Sequence, residues 1–153
     1  MAASNFRTII IQGEGEAISE ALAGEAGIKP GMLLAVSGGS AIKHATADGT
    51  SQRFFALESP TANTAGTPSI EVAYSAGDTV YRYQPDSGDV IYSWFATGGT
   101  ITAGVSPLVS NGDGTLKTIT VGTATFVDAV VGYAEETVAN VSGAAVRARI
   151  RIR

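Results

Sequence analysis

Residues 146–153 read VRARIRIR. Arg147, Arg149, Arg151 and Arg153 take every second position, with Val146, Ala148, Ile150 and Ile152 between them. Side chains alternate across a strand, so this spacing makes one face cationic and the other apolar. A helix would scatter the same arginines around its circumference, and the stretch therefore reads as a strand. The four arginines are a large share of the ten Lys and Arg in a chain whose formal charge is −4. An apolar core must lie on one side of this strand. What its basic side faces is the open question.

Working back from that strand, short apolar runs and turn residues alternate along most of the chain. GMLLAV (31–36) and AIKHAT (41–46) flank SGGS (37–40), whose residues tolerate the positive φ of a hairpin turn. RFFALES (53–59) is a buried strand, and the loop PTANTAGTPS (60–69) follows it. IEVAYSAGDTVYRYQP (70–85), VIYSWFA (90–96), ITAGVSPLVS (101–110) and LKTITVGTATFVDAVVGYAEE (116–136) supply further strands, separated by DSGD, TGGT and NGDGT. Strands of five to eight residues between regular turns indicate an all-β sandwich or barrel. No long helical pattern interrupts them, which argues against a parallel α/β sheet.

The first 27 residues differ in character. Phe6 and Ile9 to Ile11 form a strand-like run, and GEGEAISEALAGEAG (13–27) follows, acidic and Ala-rich. Ile18 and Leu22 lie four apart, which permits a short helix; an extended arm is the other reading. The expected organisation is an N-terminal arm over 1–27 and a β domain over 28–153. A weak echo runs through that domain. IKPGMLL (28–34) resembles ITAGVSPL (101–108), and each precedes a strand ending on an acidic residue, FFALE (54–58) and GYAEE (132–136). A duplicated hairpin unit and a chance similarity of turns both account for it.

Composition excludes several chemistries. There is no Cys, so disulfide scaffolding, thiolate catalysis and cysteine zinc sites are ruled out. The acidic balance argues against a general nucleic-acid binder. The run of three isoleucines is too short for a signal-peptide core or a membrane span, so no membrane partner is expected. His44 is the sole His, and it reads as a polar strand residue rather than a metal ligand or a triad member. NGDGT (111–115) resembles the start of a calcium loop but lacks its later acidic positions, and reads as a turn. No metal and no cofactor are called for. Glu58, Glu71, Glu135 and Glu136 are the candidates for a carboxylate pair in a hydrolase reading, though nothing marks them as catalytic. Tyr74, Tyr81, Tyr83, Tyr92, Trp94 and Phe95 read first as core, second as an interface and third as a sugar-stacking platform.

The order of GIKPGMLLAV, RFFALES, AYSAGDTVYRYQPDSGDVIYSWFATGGTITAGVSPLVSNGDGTLK, VVGYAEETV and VRARIRIR resembles the capsid decoration, or cement, proteins of tailed bacteriophages. The likeness runs from about Ile28 to the C-terminus and is most specific between AYSAGDTV and SNGDGTL. It implies a small antiparallel β-barrel or β-tulip domain on the outside of an expanded capsid. The implied partners are the major capsid protein and further copies of the chain, as trimers at local three-fold positions or dimers at two-folds. A virion location after synthesis in the host cytoplasm follows. The aromatic strand VIYSWFA and the arginine alternation are both stronger than that family's pattern.

This role needs no pocket and no titrating group, only a rigid β domain with adhesive edges. The N-terminal segment, with Phe6, Arg7, Ile9, Ile10 and Ile11, is placed to add a strand to a capsid subunit. Arg147, Arg149, Arg151 and Arg153 are expected to face acidic residues of a neighbouring subunit or of the shell. A solvated edge strand, whose charges block unwanted pairing, is the competing reading. Replacing all four arginines by Gln is then expected to spare the fold. A carbohydrate-binding β-sandwich using its aromatic face is the alternative function, and a small β-barrel hydrolase the third.

Overall fold

The computed structural model describes residues 9–13, 19–59, 68–119, 127–140 and 143–153. Among the described residues thirteen strands follow one another: β1 (Ile10–Gln12), β2 (Ser19–Leu22), β3 (Leu33–Ser37), β4 (Ser40–Lys43), β5 (Phe54–Ala56), β6 (Thr79–Tyr83), β7 (Val90–Phe95), β8 (Gly99–Ile101), β9 (Pro107–Ser110), β10 (Leu116–Thr118), β11 (Gly132–Ala134), β12 (Val138–Asn140) and β13 (Val146–Ile152). The described residues contain no α-helix, only two single 3₁₀ turns at Ser69–Glu71 and Val127–Ala129. The all-β barrel reading holds.

The strands close on themselves. In the C-terminal half the order is β7-β10-β9-β11-β13, and β13 pairs back onto β7, so five strands form a closed barrel. The N-terminal half forms a second five-stranded sheet, β2-β6-β5-β3-β4. Its ends meet at a parallel bridge between Ala23 and Ala41. Closure removes the unpaired edges that a chain of short strands would otherwise expose. All ladders within the barrels are antiparallel except the closing contacts, β7 with β10 and Ala23 with Ala41.

The two barrels repeat each other residue by residue. Leu34 pairs with Lys43 and Phe54 as Leu108 pairs with Thr118 and Gly132. Ala56 faces Arg82 as Ala134 faces Ile150. Leu22 faces Thr79 as Trp94 faces Arg147. The bridge Ala23–Ala41 matches the closing pair Phe95–Leu116, and the bonds Gly24 N–H to Ala41 O and Ala96 N–H to Leu116 O are both 2.8 Å. Gly31 and Gly104 lead into β3 and β9 at positive φ, and each donates at 2.7 Å to the equivalent carbonyl, of Ala56 and of Ala134. A chance likeness of two turns does not reproduce the register of every strand pair. The echo in the sequence is a duplicated barrel, with one extra residue in the second turn.

The halves share one core. Leu33, Phe55, Leu57 and Tyr83, on the outside of the N-terminal barrel, join the cluster that fills the C-terminal one with Ile91, Phe95, Leu108, Leu116, Ile150 and Ile152. The interior of the N-terminal barrel is smaller, built on Ile28, Leu34, Ala41, Ala56, Tyr74 and Val80. Gly132 shows how tight the C-terminal ring is. A Cβ there would sit 2.3 Å from the Arg151 carbonyl oxygen, which its strand pairing holds in place. Gly132→Ala is therefore expected to cost about 3 kcal/mol, read as a lowered midpoint in urea unfolding.

Those of the first 27 residues that are described join the fold. Ile9 is fully buried, β1 pairs with the outer end of β7, and β2 completes the N-terminal barrel. Of the pair that allowed a short helix, Leu22 lies in β2, opposite Thr79, and Ile18 lies outside the described residues. Tertiary pairing outweighs a weak local preference broken by glycines.

Candidate functional site

The apolar face of β13 does what its alternation requires. Ala148, Ile150 and Ile152 are all buried, while Val146, at the end of the barrel, is 37% exposed. β13 is no edge strand: it lies between β7 and β11. Its arginines are answered within the chain. Arg149 Nε lies 3.4 Å from Glu136, and Arg151 pairs with Glu135 while donating to the Gly88 carbonyl at 2.9 Å. Both side chains stay about half exposed.

Arg147 belongs to a different class. Its side chain is only 6% exposed. The guanidinium lies 4.2 Å from the centre of the Trp94 ring. It donates to the carbonyls of Pro30 and Ile70 and pairs with Glu71. Trp94 Nε1–H donates to the same Pro30 carbonyl at 2.9 Å. The charge thus pins the β2–β3 connection and the turn at Ser69–Glu71 to the C-terminal barrel. Its expected role as a contact to another subunit gives way to this internal one. The C-terminal residue Arg153 accepts through its carbonyl from the Arg53 guanidinium.

Other sequence candidates are dispersed. Phe6 and Arg7 lie outside the described residues. Ile9 is core, Ile10 packs partly against it, and Ile11 is 47% exposed. Of the four glutamates considered as catalytic carboxylates, Glu71, Glu135 and Glu136 are the partners of Arg147, Arg151 and Arg149, and Glu58 is buried. They do not converge in a cleft. Among the described residues no three metal-ligating side chains gather. No helix among them is long and apolar enough to cross a membrane.

The aromatic side chains divide as well. Tyr74, Tyr83 and Phe95 are core, and Trp94 is covered by Arg147, with Lys29 also over its ring. They do not form one exposed platform. Burial pushes the Tyr74 hydroxyl well above its ordinary range, and it donates to the Leu57 carbonyl at 2.6 Å. Burial also acts to raise the Asp113 carboxyl. The hydroxyl and backbone N–H of Thr115 outweigh it and hold that group below its usual value. These bonds make NGDGT the tight turn its composition indicates. His44 is buried, with Nε2 donating to the Thr50 carbonyl and Nδ1 bonded to Ser110 Oγ at 2.7 Å. A carbonyl can only accept, which places the proton on Nε2.

What the duplication exposes is a surface. In the N-terminal barrel Leu33, Phe55, Leu57 and Tyr83 are covered by the other half. Register assigns Pro107, Tyr133, Glu135 and Arg151 to the same positions in the C-terminal barrel. Among the described residues nothing buries these: Tyr133 is 40% exposed, Arg151 is about half exposed, and Pro107 and Glu135 are partly exposed. Arg149 extends the face alongside Tyr92, its cross-strand partner. Nothing in the local pattern singles out Tyr133 or Pro107. Their only signal is their place in the repeat. Comparison of the chain with models of known protein families and with curated protein sequences returns no match.

Proposed function

We propose that the protein is a structural virion protein of the capsid decoration kind, binding the outer surface of the expanded capsid and bridging major capsid protein subunits. One observation carries this reading. The face through which the first barrel packs on the second recurs on the second barrel, exposed and rebuilt with Tyr133, Arg151 and Arg149. Tyr and Arg are the residues that dominate protein interfaces, and ion pairs that already hold the arginines reduce the ordering cost of contact. The motif order described above supports the same role.

In this reading the chain acts as a homotrimer, or as a dimer at two-fold positions. The residues ahead of Ile9, including Phe6 and Arg7, add a second contact, and several such contacts in one oligomer gain affinity through effective concentration. The protein is made in the host cytoplasm and ends on the outside of the virion.

Co-sedimentation with expanded, undecorated capsids tests this directly. Saturable binding at a fixed ratio to the capsid subunit is expected, and that ratio separates three-fold from two-fold occupancy. Tyr133→Ala combined with Arg151→Glu is expected to weaken binding at least ~10-fold, as loss of an aromatic anchor and reversal of its neighbouring charge should. No binding at micromolar protein, or binding indifferent to the double substitution, overturns the assignment.

A further inference from the structure

We propose that the mouth of the N-terminal barrel, where Arg82 lies on Phe54 beneath the loop of Thr50, Ser51 and Gln52, is a binding site for a carboxylate. The inference is independent of the capsid reading, and either can fail alone.

The repeat locates the anomaly. Arg82 on β6 occupies the position of Ile150 on β13: each faces an alanine, Ala56 or Ala134. Ile150 is a buried core residue of its barrel. The same inward position in the first barrel holds a guanidinium. Its neighbour differs in a matching way, because Phe54 stands where the second barrel has Gly132. The Arg82 guanidinium lies 4.7 Å from the Phe54 ring centre, so the ring fixes its plane.

Among the described residues no carboxylate pairs with this cation. Arg53, Arg147, Arg149 and Arg151 each donate to a carbonyl or pair with a carboxylate. Among the described residues the Arg82 Nε is buried without an acceptor. A buried unpaired donor loses its hydration and gains no bond in return, which is a reason to look for a ligand at that spot. Arg82 lines a cleft together with Ala35, Val36, His44, Thr50, Ser51, Gln52 and Phe54.

The rim is held in place. His44 Nε2–H donates to the Thr50 carbonyl, and His44 is anchored in turn on Ser110 of the other barrel. Asp48 and Arg53, at either side of this rim, both adopt φ of 56°, a conformation L residues seldom take. Strained backbone of this kind gathers at ligand clamps.

The chemistry selects the ligand class. One cation, hydroxyls, an amide and the His44 imidazole, with no acid lining the cleft, suit a single negative charge. A guanidinium presents two parallel donors, the geometry of a carboxylate. A phosphate dianion would need a second cation; no Lys and no second Arg lines the cleft, and the ring nitrogens of His44 are engaged with Thr50 and Ser110.

The test is an NMR titration of the full chain, following the arginine Nε–Hε signals with acetate, with inorganic phosphate, and with chloride at matched ionic strength. The Arg82 signal is expected to shift saturably with acetate and not with chloride, and Arg82→Lys to weaken that response at least ~10-fold because an ammonium cannot fork. Arg82→Met keeps an apolar stem against Phe54 and removes the unpaired donor. Its melting temperature is expected to equal or exceed that of the parent protein and to be indifferent to acetate. Saturation by phosphate at lower concentration than acetate would overturn the choice of carboxylate. No saturable shift with either anion would overturn the site, as would a large fall in melting temperature on Arg82→Met without any acetate response in the parent.

Discussion

A chain truncated after Gly143 does not fold. The deletion removes β13, which pairs with β7 along six positions and with β11 along three. It opens the C-terminal barrel at two seams together. Ala148, Ile150 and Ile152 leave the shared core at the same time. Truncating one buried Ile to Ala costs about 2–5 kcal/mol, and the loss of two entire isoleucines with their ladder exceeds that several-fold. The whole stability of a domain this size is about 5–15 kcal/mol. No reserve remains. The N-terminal barrel is not spared, because Leu33, Phe55 and Tyr83 lose the core they pack into. Far-UV circular dichroism during a thermal ramp is the check, with no cooperative transition expected. A melt within a few degrees of the full chain would contradict the account.

Arg147→Gln lowers stability by about 2–3 kcal/mol, whereas Arg149→Gln and Arg151→Gln each cost under ~1 kcal/mol. The difference follows from burial. Arg149 and Arg151 are half exposed, and water replaces much of what their glutamates provide. The Arg147 side chain is nearly enclosed, and its loss uncovers the Trp94 ring and leaves the Ile70 carbonyl short of a donor. Glu71 is 45% exposed, so the ion pair itself accounts for little of the total. At roughly 2–4 °C per kcal/mol, Arg147→Gln lowers the melting temperature by about 4–12 °C, and the other two stay close to the parent. The expectation that all four arginines can be replaced without harm to the fold is revised accordingly. Equal melting points for the three single variants would refute the division.

Much of the fold is legible in the residues. The VRARIRIR alternation dictates a strand with one buried face, because period two is a local property of the backbone. Spacing of turn residues marks the other strands for the same reason. Even the duplication leaves a trace in IKPGMLL and ITAGVSPL, since both turns lead into a strand through a glycine at positive φ.

What the arginines face is not a local property. Glu135 and Glu136 lie 16 and 13 residues before their partners, and Glu71 lies 76 residues before Arg147. Only the closing of the barrels brings them together. Period two likewise makes Arg147, Arg149 and Arg151 look alike, yet packing against the other half buries the first and leaves the others open. The same holds for Arg82, which in sequence is one residue of an alternating strand, VYRY. Its inward aim is set by a register that places it where the second barrel keeps Ile150. Alternation along the chain determines which residues share a face. Pairing between distant strands alone decides whether that face meets core, carboxylate or solvent.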